Sequence, residues 1–352
     1  MKQLIDKLFL NKALSRQEFS ALIAAANDES LREYAAELAA AERDRVFGRK
    51  VFLRGLCEIS NHCKNNCYYC GIRRDCAITR YRLSPAEILA ALRRGYSMGF
   101  RSFVLQGGED EYYTDDRLTA LIAQIKREMP YCALSLSLGE RTERSYKALY
   151  GAGADRYLLR HETADVEHYR RLHPEPLSLQ NRKNCLFTLK RIGFQVGAGM
   201  MIGSPGQTAD TLAEDMFFLH ELQPHMCGIG PFLPASGTPF EHEPAGSLPL
   251  TLFMLSLTRI MLPYVLLPST TALATLDKRG RILGLNAGAN VLMPNLTPPM
   301  QASGYRLYDN KTYTGPESGS KLDTLFEQLS GAGYTADLGR GDSPVAATPP
   351  KR

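Results

Sequence analysis

The chain of 352 residues lacks several features that would have assigned it quickly. No secretory signal is visible, because Met1 to Ser20 carries Lys2, Asp6, Lys7 and Lys12 and has no apolar core of signal length. The expected compartment is therefore a reducing cytosol. No apolar run is long enough for a membrane span, which needs about 20 residues. The most apolar window, Leu252 to Pro268, contains Arg259 and Pro263 and reads as a buried helix followed by a strand. There is no tandem repeat and no low-complexity linker. Strong charge is also absent: 42 basic against 37 acidic side chains leave +5, too mild to argue for nucleic acid. Eight cysteines are too few for a disulfide-dense scaffold, and they are unevenly placed.

What is present is alternation. Residues 1–46 have the composition of a helical leader, with Leu31, Tyr34, Ala35 and Leu38 at helical spacing. Strand patterns then occur at 51–59, 101–106, 131–138, 155–160, 194–202, 226–231, 266–271 and 290–293. Helical patterns fall between them, near 84–97, 115–128, 142–150, 165–172, 178–192, 208–222, 250–262 and 276–284. Ser84, Pro85 and Glu87 form an N-cap, first-turn proline and capping box. Eight strand–helix units over roughly 250 residues predict an α/β fold, a (β/α)8 barrel of TIM type. The expected division is a helical extension over 1–46, the barrel over 47–310 and a C-terminal extension over 311–352. Thr335 to Arg352, rich in Gly, Pro, Ala and Asp, is expected to fray.

The chemistry of such a barrel lies at the C-terminal ends of its strands. After the first strand come Cys63, Cys67 and Cys70, spaced C-x3-C-x2-C in one tight loop. Three thiolates suit three irons of a 4Fe–4S cube and leave the fourth iron open. A structural zinc is the alternative, but it needs a fourth ligand, and His62, Cys57 and Cys76 are poorly spaced to supply one. Cys57, Cys76, Cys132, Cys185 and Cys227 are scattered singly and read as packing residues. After the second strand, Gly107 and Gly108 allow close backbone approach and Glu109 can accept from an ammonium group. In the fourth strand a period of two puts Arg156, Leu158 and Arg160 on one face, followed by Glu162. Charges facing a barrel interior need partners, so Arg160 and Glu162 are expected to pair and Arg156 to meet an anionic or polar ligand; a surface ion pair is the plainer alternative. His161 points the other way and reads as structural. The glycine- and methionine-rich stretch from Gly197 to Gly203 suits either a flat adenine or tight strand–helix packing.

The cysteine loop, with Tyr69 in the aromatic place, resembles that of the radical S-adenosylmethionine (SAM) superfamily. Cys63 to Cys70, Leu105 to Asp110, Ser135 to Glu140, Ala154 to Thr163, Gly197 to Thr208, Gly228 to Pro231, Pro268 to Ala272 and Gly288 to Asn295 resemble one of its families, the FeFe-hydrogenase maturases HydE. The resemblance implies a 4Fe–4S cluster ligated by Cys63, Cys67 and Cys70, and SAM as cofactor. It implies SAM surroundings of Tyr69, Gly108, Glu109, Ser135, Ser137, Arg160, Glu162, Arg182, Met201 and Ile229. It places a substrate and anion cavity at Arg156, Thr270, Thr271, Tyr305 and Tyr308. The family acts on a cysteine-bound iron complex with CO and cyanide, made by the maturase HydG and passed on to HydF, with flavodoxin or ferredoxin as the kind of electron donor expected. Some members carry extra C-terminal cysteines for a second cluster; this chain has none after Cys227, which implies one cluster. Its nearest enzyme rivals are methylornithine synthase and a biotin-synthase-like sulfur inserter. A carrier of clusters that does not cleave SAM is the rival outside enzymes.

Overall fold

In a computed structural model of the chain, residues 1–311 and 319–345 are described, the side chains of 319–321 excepted. The strands are β1 (Lys50–Leu53), β2 (Gly55–Ser60), β3 (Ser102–Gly107), β4 (Ala133–Ser137), β5 (Arg156–Leu158), β6 (Gln195–Ala198), β7 (Met201–Ile202), β8 (Met226–Cys227), β9 (Gly230–Pro231), β10 (Val291–Leu292) and β11 (Thr335–Asp337). Strands β2-β3-β4-β5-β6-β8 form one parallel sheet in that order. The sheet closes through single parallel bridges: Met226 to Leu266, Pro268 to Val291 and Leu56 to Asn295. The β1–β10 pairing, Phe52 opposite Val291, completes the ring. The eight expected strand positions are thus occupied around a (β/α)8 barrel. Three of its staves are broken, at Arg54, at Gly199–Met200 and at Gly228–Ile229.

The helices between them follow local signals. Ser84 caps the helix Pro85–Ser97, its Oγ accepting from the Glu87 N–H at 3.3 Å while its own N–H donates to Glu87 Oε2 at 2.7 Å. Sequence reasoning differed at the seventh unit. The strand expected over 266–271 is reduced to bridges at Leu266 and Pro268, and Thr270 already caps the helix Thr271–Leu276. The helix expected near 276–284 becomes Gly280–Asn286.

The leader consists of three helices, α1 (Lys2–Asn11), α2 (Arg16–Ala24) and α3 (Glu29–Phe47). They lie on the outside of the barrel, with α3 against the helix Leu248–Met261 and α2 against Ala209–Leu222. This explains the apolar window. A helix covered on both faces is apolar all round, and Phe253, Met254, Leu255, Leu257 and Ile260 are fully buried. Arg259 is tolerated inside because its guanidinium donates to the carbonyls of Gly288, Pro263 and Val265 and to Asn290 Oδ1. No described helix is long and apolar enough to cross a membrane.

The tail departs from expectation. Residues 335–345 do not fray: β11 pairs in parallel with β1, Lys50 opposite Thr335, and the Arg101 N–H donates to the Leu338 carbonyl at 2.7 Å. Composition suggested a loose end because Gly, Pro and Asp cannot fill a core. These residues are instead fixed by the exposed edge of β1 and by buried arginines at the strand-start end of the barrel. Residues 346–352 lie outside the described residues.

Candidate functional site

A cavity of about 350 Å3 opens at the strand C-terminal end. Its outer wall is the loop after β2. The loop is held by Gly71, whose N–H donates to the Leu307 carbonyl at 2.9 Å, and by Asn61, whose Nδ2 donates to the Thr79 and Gly304 carbonyls. Arg80 donates to the carbonyls of Asn61, Ile72, Arg73 and Cys76, all within the loop or just after it. A loop without regular structure is thereby made rigid by one guanidinium that takes up its orphan carbonyls. Cys63, Cys67 and Cys70 are free thiols and all line the cavity.

Burial pushes the Cys67 thiol up to about 12, and raises Cys63 and Cys70 for the same reason. A loop that penalises three bare thiolates needs a positive charge to hold them deprotonated. Among the described residues no trio of His, Cys, Asp or Glu converges on a single ion. The donor set therefore fits a multi-iron cluster, whose irons each take one thiolate, better than the zinc alternative. The other five cysteines are buried singly.

Around the thiols the strand ends supply polar groups in a fixed arrangement. At the end of β3, Gly108 is obligatory, because a Cβ there would lie 2.2 Å from the His62 carbonyl oxygen and 2.7 Å from Cys63 Cβ. Glu109 follows, its Oε1 accepting from the Glu140 N–H at 3.0 Å. Gly139, with φ of 74°, makes room for it, since a Cβ there would lie 1.9 Å from Glu109 Cγ. Arg160 reaches Glu162 at 3.1 Å and donates to the Met200 carbonyl at 2.7 Å. Arg182 pairs with Glu140 at 2.6 Å. Tyr69 Oη donates at 3.2 Å to Nε2 of His173, whose Nδ1 donates to the Tyr169 carbonyl. Burial pushes His173 down to about 3, so the ring is neutral and can accept from the tyrosine.

Fifteen of the expected residues line this one cavity: Cys63, Cys67, Tyr69, Cys70, Gly108, Glu109, Ser137, Arg160, Glu162, Arg182, Met201, Thr270, Thr271, Tyr305 and Tyr308. Thr270 Oγ1 is buried there without a hydrogen-bond partner among the described residues. Three expected residues are not in the lining. Ile229 is fully buried in the hydrophobic core. Ser135 and Arg156, paired in register across β4 and β5, lie two residues below Ser137 and Leu158, which do line the cavity. Two residues of strand are about 6.6 Å, one full layer deeper into the barrel.

Arg156 is fully buried and meets protein instead of a ligand. It donates to Asp342 Oδ1 at 2.7 Å, the Arg340 carbonyl at 2.6 Å, Ser102 Oγ at 2.9 Å and Gln195 Oε1 at 3.2 Å. Its carboxylate partner comes from the tail that composition alone dismissed. Sequence reasoning also missed the buried pair of Glu58 and Lys311 in the cavity wall, where Lys311 Nζ also donates to the Tyr305 carbonyl and Asn295 Nδ2 donates to Glu58 Oε2 at 2.9 Å. Arg54 lines the cavity as well. The period-two pattern of 51–59 could have flagged Arg54 and Glu58 as charges facing inward; nothing local signalled Lys311.

A closed parallel barrel with three loop thiols and a polar ring at its strand ends defines the radical SAM class. Known proteins agree. The model of the Radical SAM superfamily matches residues 57–219. The chain is 44% identical over 303 residues, 85% of its length and 86% of the relative's, to the [FeFe] hydrogenase maturase subunit HydE of Thermotoga maritima. It is 32% identical over 307 residues to 3-methylornithine synthase of Methanosarcina barkeri, covering 86% of each. Among solved structures, methylornithine synthase PylB superposes with a TM-score of 0.82 at 26% identity, covering 95% of this chain and 97% of that one. The maturase HydG superposes with a TM-score of 0.80 at 19% identity, covering 96% and 75%, a likeness of fold alone. The chain belongs to the HydE family of radical SAM enzymes, a membership that implies a 4Fe–4S cluster and SAM.

Proposed function

We propose that this enzyme matures the active site of FeFe-hydrogenase, acting on a small cysteine-bound iron complex that carries CO and cyanide. The observation that carries the reading is that the three loop thiols share one cavity with two sets of polar side chains. Glu109, Arg160, Glu162 and Arg182 make one set, which we assign to SAM; Thr270, Thr271, Tyr305 and Tyr308 with Glu58 and Lys311 make the other, which we assign to the substrate. When bound, a reduced cluster supplies one electron to cleave a carbon–sulfur bond of SAM, giving methionine and a 5′-deoxyadenosyl radical. The protein's part is to bind, orient and exclude water. Cys63, Cys67 and Cys70 would hold three irons. Glu109 would accept from the SAM ammonium group, and Arg160 and Arg182 would meet its carboxylate and ribose alongside Glu162. Tyr69, fixed by His173, Ser137, Gly108 and Met201 would bound the same ligand. The second set would hold the iron complex in the enclosed part of the barrel, where a radical and a labile metal complex are both protected.

One cluster per chain is part of the proposal: iron well above about four per chain after anaerobic reconstitution would overturn it. HydG as supplier, HydF as acceptor and a flavodoxin or ferredoxin as donor are the partners proposed. The test is anaerobic. Dithionite and SAM should release 5′-deoxyadenosine from the wild type and none from Cys67→Ala, and adding the cysteine-bound iron carbonyl cyanide complex should give a new adenosyl-linked EPR species. Turnover of lysine to 3-methylornithine would transfer the chain to the synthase reading. An intact cluster with no 5′-deoxyadenosine would make it a carrier.

A further inference from the structure

Glu162 is held in the left-handed region, with φ of 64°. Three other described non-glycine residues share positive φ, namely Lys12, Gln223 and Asn310, and none of them lines the cavity. Left-handed backbone is unfavourable for an L-residue and persists where the surroundings over-determine it. The bracing lies behind the residue. His161 and Asp215 are both fully buried, with His161 Nε2 3.2 Å from Asp215 Oδ1. The Gly199 N–H donates to His161 Nδ1 at 3.3 Å, which places the ring proton on Nε2, facing the carboxylate. Asp215 Oδ1 also accepts from the Ala164 N–H at 2.5 Å.

The other side of the segment is tied to the broken fifth stave. The Glu162 N–H donates to the Gly199 carbonyl at 3.0 Å, and the Met201 N–H donates to the Glu162 carbonyl at 3.2 Å. That stave cannot give way toward its neighbour, since even a Cβ at Gly199 would lie 2.1 Å from the Gly228 carbonyl oxygen. Residues 161–164 are therefore clamped between Gly199 and Asp215. The backbone leaves strand geometry at Glu162, whose carboxylate lines the cavity beside Arg160. Burial pushes His161 down to about 3, so the ring stays neutral throughout the working range. Neither His161 nor Asp215 touches the cavity.

We propose that the His161–Asp215 pair is a positioning device for Glu162, setting the enzyme's affinity for SAM without touching it. The inference rests on the reading of Glu162 as a SAM contact, and the experiment separates the two. Holoenzyme with reconstituted cluster is titrated with SAM, and iron content and thermal stability are measured on the same samples. Asp215→Ala should raise the SAM dissociation constant at least tenfold with iron content unchanged. Asp215→Asn, which keeps an oxygen for both donors, should stay within threefold of wild type. Glu162→Gln should weaken SAM like Asp215→Ala. If Asp215→Ala does not accumulate folded, His161→Phe, which keeps the ring volume and removes both hydrogen bonds, carries the same expectation. SAM affinity within twofold of wild type in these variants, while Glu162→Gln is weakened, overturns the positioning role and leaves the pair a stability element. Unchanged affinity in Glu162→Gln overturns the reading of Glu162 itself, and the positioning role with it.

Discussion

Asp342→Ala should unfold the strand-start end of the barrel more easily, by an amount that follows from its partner's burial. Arg156 has no exposed surface, and Asp342 is the carboxylate it meets, at 2.7 Å. The contacts to Arg156 and Arg340 hold the Asp342 carboxyl down, from 3.8 to about 2. Taken whole, that difference is worth about 2.4 kcal/mol. Because 37% of the side chain remains exposed, solvent screening reduces it to about 1 kcal/mol. The alanine variant does further harm, leaving a buried guanidinium without a counter-charge, for which about 3 kcal/mol is the usual lower figure. The carbonyl of Arg340, Ser102 Oγ and Gln195 Oε1 still accept from it, so a loss of about 1–3 kcal/mol is expected. Denaturant unfolding at neutral pH measures it. The pH dependence has a definite sign. A carboxyl with a lowered folded value contributes fully above its unfolded value, and its share is lost as pH falls from about 4 toward 2. The double variant Arg156→Met with Asp342→Ala removes both charges and should recover most of the loss. A single-variant cost below about 0.5 kcal/mol, or a double variant no better than the single, would refute the account of the tail as the partner of a buried charge.

Other expectations address the site. Gly108→Ala pushes a methyl group to 2.2 Å from the His62 carbonyl, and should yield a folded barrel that retains less iron after reconstitution. Thr270→Ala with Thr271→Val should leave 5′-deoxyadenosine release within threefold of wild type while impairing hydrogenase maturation; equal loss of both would overturn the proposed assignment of these threonines to the substrate. Lys311→Met strands the buried Glu58 carboxylate with Asn295 as its remaining side-chain partner among the described residues and should cost about 3 kcal/mol. Combining it with Glu58→Gln should restore about half of that, read by denaturant unfolding.

The barrel was legible because its signals are local. Ser84, Pro85 and Glu87 start a helix wherever they fall, and an apolar run between glycines makes a strand. The cysteine loop was legible for a related reason: its three thiols lie within eight residues, so their convergence needs no knowledge of the fold. Arg160 and Glu162 were paired correctly from adjacency along one strand. Arg156 carries no such local signal, because its carboxylate partner lies 186 residues away. Lys311 reaches Glu58 across 253 residues, a contact no window along the chain can register. The seventh stave was over-extended because strand pattern reports apolar character, and Thr270 spends its backbone on capping a helix instead.

By itself, the sequence determined the number of units, the loop that presents the thiols and, through family resemblance, fifteen of the residues that line the cavity. The first two follow from spacing, capping or a period of two, which act over a few residues. The tertiary structure alone decided how deep each charge sits and which distant group neutralises it. It set Arg156 one layer below the cavity, brought Asp342 and Lys311 to buried charges, and forced Glu162 out of strand geometry against Gly199 and Asp215. The reason is physical: burial and pairing of charge depend on distances through the closed barrel, and separation along the chain does not encode them.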